Sequence, residues 1–582
     1  MATALGRREL GSWQARHELG QYLDEDALIY RIGLAATLEG HQGCVNTLKW
    51  NSDGTLLASG SDDRTIIIWL MDEGGQCRLQ TDHAANIFAV DFLPSSSDNI
   101  VLSAAGDHFV KLHEVTDPDA TYTWTTDGRV KRLCTAPDEP YLFWSASEDG
   151  FIREYDTRTY AEKKLIKAMR WRELETNTRS GSNDARGAQV KTMAICQGRT
   201  ELVAVGANHS IVSIYDRRGS TDIPVAKLAN KDYICRPYQA HATHVAFDYY
   251  GTECIVNQGN GAIYIYKLKE DESTPTTLQG LDEILQKEEP VPVMEYTSVP
   301  RTPNRTEART FVEQRKYSEA IECYSRCLPH ITDPMERSLY YSNRGLCYML
   351  RRWEGDTYGC IRDCVQALRL YPGNAKAMWR IGRCMTMLEQ WDWANRIVAS
   401  FKKQFPEDNS VEKIQKHISS DDSKSNGSNG STAANIPVLK DQEGIFDYYQ
   451  RFLGHRNYQT DIKEANFFGS KNQYIVAGSD CGSMILWDRA TGVIRGVWKA
   501  DENIVNIVQP HPTQVMLATS GIDDEIRLWE PLGQDVEDER RVTNIWDRLH
   551  TEDVRGARVG LQAVVRFLEE NADEVRPECV VM

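Results

Sequence analysis

Hydrophobic positions along the chain follow two different periods. Over residues 38–270, and again over 458–533, short apolar runs of five or six residues alternate with polar turns. Between them, from about 305 to 408, apolar residues recur at helical spacing. The first short-run unit is the clearest. Gly40-His41 precedes a strand, LKW; a turn follows at Asp53-Gly54; a second strand, LLASGS, leads to Asp62-Asp63; and TIIIW closes the unit at Trp69.

This spacing sets His41, Ser59, Asp63 and Trp69 where one propeller blade holds a structural hydrogen-bond tetrad. Each group is polar in a buried position, so each needs a partner. A catalytic Ser-His-Asp reading requires an exposed nucleophile, and this Ser lies inside a strand. Related spacing ends at His113 (with Ser103, Asp107), Tyr155 (Ser145, Asp149) and Trp529 (Thr519, Asp523), and more loosely at Tyr215, Tyr266 and Trp487. Several intervals match the ~40–45-residue period of WD repeats. Seven such units make a closed ring, and closure requires both runs to belong to it, because five blades alone leave two open edges. The helical insert is then expected to leave from a loop between blades five and six.

Within the insert, segments 308–328, 336–372 and 374–405 each read as a helical hairpin, with Pro372 and Pro406 ending the second helices and Gly345, Ala367 and Gly382 allowing close approach. Three tetratricopeptide-type repeats are predicted, the second stretched by Glu354–Gly359. The aromatic positions Trp379, Trp391 and Trp393 are assigned to their core. The fold class is therefore mainly β with an α insert: a seven-bladed WD-repeat β-propeller carrying a tetratricopeptide array. The expected divisions are an N-terminal helical or docking segment 1–37, blades one to five 38–270, linker 271–304, repeats 305–408, low-complexity linker 409–457, blades six and seven 458–533, and an acidic, helical tail 534–582. The polar stretch 160–188 is expected to be a blade-to-blade loop.

Composition narrows the function. Formal net charge is −17 over 582 residues, which disfavours binding to a phosphate backbone. No apolar run reaches the roughly eighteen residues of a membrane span, and MATALGRRELGSW has no apolar signal core. A nuclear and cytoplasmic location, with the 14 cysteines reduced, is the expectation. The pairs Cys323/Cys327 and Cys360/Cys364 lack further ligands for zinc, no phosphate-binding Gly-rich loop occurs, and His511 has no nucleophile beside it. No catalytic residue, metal or cofactor is expected.

The segments GHQGCVNTLKWNSDGTLLASGSDD (40–63), HAANIFAVDFLP (83–94), FWSASEDGFIREYDTR (143–158), DIKEANFFGSKNQYIVAGSD (461–480), the RRWEGDTYG spacer and the FKKQFPE ending together resemble the WD and tetratricopeptide repeats (Adipose) family over nearly the whole chain. That resemblance implies a substrate receptor of cullin-4 RING ubiquitin ligases, docking on the ligase's large damaged-DNA-binding adaptor and recruiting protein substrates. It also suggests a link to histones, histone deacetylase and repression of fat-synthesis genes. The family's docking signature stands here as Tyr155-Asp156-Thr157-Arg158 and Tyr215-Asp216-Arg217-Arg218: Asp fixes the turn, and Arg two residues on offers a planar donor fork. Trp487-Asp488-Arg489-Ala490 lacks the Arg. A solvated groove is the plain reading of the helical array; a carboxylate-binding groove would use Asn343, Lys376 and Arg380, with Arg305 and Arg309 in the first repeat. A chromatin or chaperone scaffold that works without ubiquitin is the alternative.

Overall fold

In the computed structural model, described residues run from 26 to 545, except 72–73, 95, 118–119, 177–187, 231–239, 269–276, 287–302, 354, 389, 409–444, 533–537 and 544. The expectations for residues 1–25, most of the 160–188 loop, the 419–436 linker and the tail beyond 545 lie outside them. The described chain forms two compact units, a β unit and a helical unit whose body is Glu270–Asp441.

Among the described residues, the β unit contains seven sheets, one per predicted blade, each built on four or more strands that are antiparallel apart from one parallel edge in blade four. Blade one shows why these residues form strands. Thr65–Leu70, TIIIWL, is buried along almost its entire length, because a middle strand is covered on both faces by neighbouring blades. The outer strand Gly75–Gln80 buries only Leu79 fully. Register places Leu57 opposite Trp69 and Ser59 opposite Ile67. Adjacent blades share apolar cores, for example Ile67 and Trp69 of blade one with Ile507 and Ala518 of blade seven.

Two features correct the sequence reading. First, Ile32–Glu39, expected within a helical docking segment, is a strand that pairs antiparallel with Glu525–Pro531 and completes blade seven. Only Asp26–Ile29 is helical in the described part of that segment. Closure thus comes from pairing residues nearly five hundred positions apart. Second, Tyr448–Phe452, expected in the low-complexity linker, pairs with Ile263–Lys267 as the fourth strand of blade five. The insert therefore interrupts blade five between its third and fourth strands; it does not leave between blades five and six. Just before that strand, Ile445–Phe446 adds a parallel edge to the short outer strand of blade four. From the expected tail, Arg540 and Val542 pair with Lys499 and Val497 at the edge of blade six.

Among its described residues, the helical unit holds three hairpins and one further helix. We label its helices α1 (Thr277–Leu285), α2 (Pro303–Glu313), α3 (Tyr317–Cys327), α4 (Pro334–Arg351), α5 (Asp356–Leu370), α6 (Ala375–Met387) and α7 (Trp391–Gln404). Asp333 caps α4 by accepting from the Glu336 amide at 2.7 Å, and Asn374 caps α6 by accepting from Ala377 at 3.2 Å. α5 and α7 stop two residues before Pro372 and Pro406. α1 lies in what reads as a linker, yet its Leu281 and Ile284 are buried in the core formed by α5, α6 and α7. Trp393 belongs to that core, and Trp379 and Trp391 pack against it.

Candidate functional site

The tetrad of blade one forms as spaced. His41 Nδ1 lies 2.9 Å from Asp63 Oδ2, its Nε2 lies 2.8 Å from Ser59 Oγ, and the Trp69 indole N–H donates to Ser59 Oγ at 2.9 Å. The bond order matches that of a hydrolase triad, but Ser59 is 0% exposed and its oxygen already accepts from the Trp69 indole, so no substrate carbonyl can reach it. Burial lowers the His41 pKa against the opposing pull of Asp63. Blade two repeats the pattern with His83, Asp107, Ser103 and His113. Blade three keeps Ser145 on Tyr155 at 2.9 Å but gives Asp149 to Arg153. Blade seven keeps Trp529 on Thr519 and gives Asp523 to Arg527. These groups hold blades together.

The exposed polar chemistry sits at the turns after the third strands of blades three and four. Asp156 Oδ1 accepts from the Arg158 amide at 2.9 Å and from its Nε at 3.0 Å, while Nη2 donates to Oδ2 at 2.8 Å. Asp216 and Arg218 reproduce this at 3.0, 3.3 and 3.2 Å. The aspartate thus closes the turn and orients the guanidinium. The Arg158 fork lies 5.0 Å over the Tyr141 ring, and Arg218 also pairs with Glu201 at 3.4 Å. Hydrogen bonds from the arginines hold both aspartates below the usual carboxylate range. Both arginine side chains are more than half exposed, at 58% and 66%, so these pairs contribute little stability and can exchange for a partner's carboxylate. Among the described residues, neither Nη1 meets a hydrogen-bond acceptor. Tyr155 and Tyr215 are buried anchors beneath the turns. Blade six differs: Asp488 takes Arg495 at 2.8 Å, and Arg489 turns to Glu253 and Tyr449.

One residue of this site has no match in the sequence signature. Arg217, between Asp216 and Arg218, donates Nε to the Thr200 carbonyl at 2.8 Å and pairs with Glu139 of blade three. It ties the arginine-bearing turn of blade four to the first turn of blade three, the turn that also carries Tyr141 beneath Arg158.

Comparison with known proteins gives the lineage. Residues 33–69 match the WD domain, G-beta repeat family. The chain is 32% identical to WD and tetratricopeptide repeats protein 1 of mouse and of human, across 88% of this chain and 86% of each relative. The chain belongs to the WD and tetratricopeptide repeats protein 1 family. It is also 27% identical to Protein ALTERED SEED GERMINATION 2 of Arabidopsis thaliana, over 88% of both chains. Human DDB1- and CUL4-associated factor 6 is 29% identical over 48% of this chain and 34% of its own length.

In this WD and tetratricopeptide repeats protein 1 family member, the groove candidates sit on the first helix of each hairpin: Arg305 and Arg309 on α2, Asn343 on α4, Lys376 and Arg380 on α6. They are not equivalent. Arg309 pairs with Glu313 one turn on, at 2.9 Å. Arg380 departs from its expected place as an accessible cation: it is 6% exposed, and its Nη1 donates to the Ser342 carbonyl at 2.7 Å, tying α6 to α4. Arg305, Asn343 and Lys376 are half-buried. The cysteine pairs are core: Cys360 and Cys364 are fully buried with sulfurs 3.9 Å apart, and Cys323 is pushed up to about 12 by burial. Among the described residues, no group of His, Cys, Asp and Glu is arranged to hold a metal, and no helix is long and apolar enough to cross a membrane. His511, solitary in the sequence, bonds the Gly54 carbonyl at 3.0 Å. Gly54 has φ +83°, and a Cβ there would stand 2.2 Å from the His511 ring, so this blade-seven to blade-one joint requires glycine.

Proposed function

We propose that the chain is a non-catalytic substrate-receptor subunit of a cullin-4 RING ubiquitin ligase. In this reading the Asp156/Arg158 and Asp216/Arg218 turns dock on the ligase's large damaged-DNA-binding adaptor. Protein substrates then bind elsewhere on the propeller or in the helical groove. One observation carries the reading: two turns in adjacent blades present exposed arginine forks in the same aspartate-fixed geometry, with Arg217 tying the blade-four turn to blade three. WD-repeat proteins work by binding protein partners, and a relative that matches 48% of this chain is named for association with DDB1 and CUL4. A guanidinium held by one surface aspartate is a ready partner for a carboxylate across an interface.

The test is capture of purified adaptor by the full chain and by the double variant Arg158→Ala/Arg218→Ala, with circular dichroism as a check on folding. Capture by wild type and its loss in the folded variant supports the reading. Equal capture by both moves the docking face elsewhere. No capture by wild type removes the receptor role and leaves a scaffold that acts without ubiquitin.

A further inference from the structure

Exposed aromatic side chains are not spread evenly around the propeller. In an antiparallel blade, the first-to-second and third-to-fourth turns lie at the same end. The arginine turns are third-to-fourth turns. Most of the exposed large apolar residues in the β unit cluster at that end, in blades two to five. Tyr249 and Tyr250 are 49% and 59% exposed on the first turn of blade five, packed edge to face at 5.2 Å. Tyr141 underlies Arg158. Ile223 and Val225 follow Arg218.

These groups are joined by contacts that run from blade to blade. Tyr122 of blade two stacks on Tyr160 of blade three at 4.2 Å, and the Trp124 indole donates to the Tyr160 carbonyl at 3.0 Å. Tyr160 lies two residues past Arg158. Arg217 of blade four reaches back to Glu139, two residues before Tyr141. Glu201 Oε1 takes both Arg218, at 3.4 Å, and Arg199, at 3.3 Å. The Gly198 amide then donates to the Tyr249 carbonyl at 2.9 Å, which fixes the tyrosine pair beside Arg199.

We propose that this path is one continuous protein-docking surface, with Arg158 and Arg218 at its centre, the Tyr122/Tyr160 stack at one limit and the Tyr249/Tyr250 pair at the other. The inference rests on the receptor reading above and widens its footprint from two turns to four blades. Its occupant is the ligase adaptor, engaged through a face that sets carboxylates opposite the arginines and apolar side chains opposite the tyrosines. The chemistry suits a protein partner supplying carboxylates, and the adaptor is the partner that the receptor reading supplies. Tyrosine and arginine are the residues that carry binding energy at protein interfaces, since both give large contact area with few rotatable bonds or a planar fork. The internal acids are already spent: Glu139, Glu201, Asp156 and Asp216 each hold an arginine, so the surface's remaining donor capacity on Arg158 and Arg218 calls for acceptors from outside.

The experiment is a titration of purified adaptor against the full chain carrying Tyr249→Ala/Tyr250→Ala, beside wild type and Arg158→Ala/Arg218→Ala. A Tyr458→Ala variant serves as control, since Tyr458 is 59% exposed at the opposite end of blade six. The tyrosine pair is expected to weaken binding at least tenfold with an unchanged melting temperature, and Tyr458→Ala to leave it unchanged. Wild-type affinity in the tyrosine variant, with binding lost in the arginine variant, overturns the wider footprint and leaves the receptor reading standing. No binding by wild type overturns both. Should the tyrosine variant misfold, hydrogen exchange on the wild-type complex decides: slowed exchange at 248–252 supports the surface, and unchanged exchange there overturns it.

Discussion

At the scale of single residues, the buried polar groups divide into those that hold blades and those that face outward. Ser59 is the hub of blade one, since His41 and Trp69 both depend on its hydroxyl. Ser59→Ala leaves a buried donor, the Trp69 indole N–H, and a buried acceptor, His41 Nε2, without their partner, and each orphaned group costs about 1–3 kcal/mol. Urea denaturation is expected to show a lowered midpoint with an unchanged slope; a midpoint equal to wild type would mean the tetrad is not a source of stability. The buried histidines also set a pH dependence. Burial holds His113 and His455 at about 3 and His209 and His244 at about 4. As pH falls through ~6.5 the unfolded chain takes up protons that the native chain refuses, so stability is full above ~7 and declines by about 1.4 kcal/mol per pH unit for each such histidine. The denaturation midpoint is therefore expected to be lower at pH 5.5 than at 7.5, and a flat profile would contradict the buried-neutral assignment.

At the scale of elements, some strands announce themselves in the sequence and others do not, for physical reasons. Thr65–Leu70 is legible because burial on both faces demands an unbroken apolar run, and the tetrad is legible because four polar types in a core must meet one another. Ile32–Glu39 is not, because its middle is exposed and its partner is at the far end of the chain. Tyr448–Phe452 is short, only half-buried along its middle, and follows a low-complexity stretch, so the insertion point reads one strand too late. The arginine turns are visible as a signature, whereas Arg217 and the neighbouring tyrosines are not: exposure leaves no periodicity, and only the fold brings them together. Arg380 shows the same limit in the helical unit, where helical spacing gives its face but not its bond to Ser342. The closing strand carries its own prediction. Removing residues 1–39 strips the edge of Glu525–Pro531, and an uncovered edge strand invites self-association. Size-exclusion chromatography is expected to show aggregation or loss of the cooperative thermal transition; a monomer melting as wild type would show that closure does not need this strand.

At the scale of the molecule, the chain divides its labour between a ring that gains stability from closure and buried tetrads, and a helical array stacked on its own core. What distinguishes this ring from a generic scaffold is a single end of four consecutive blades where arginine forks and tyrosines are exposed together. The receptor account turns on whether that end meets the ligase adaptor. The most direct measurement is a calorimetric titration of purified adaptor into the purified full chain at near-physiological salt. The account predicts saturable one-to-one binding, abolished by Arg158→Ala/Arg218→Ala; absence of binding by the wild-type chain at adaptor concentrations of tens of micromolar would contradict it.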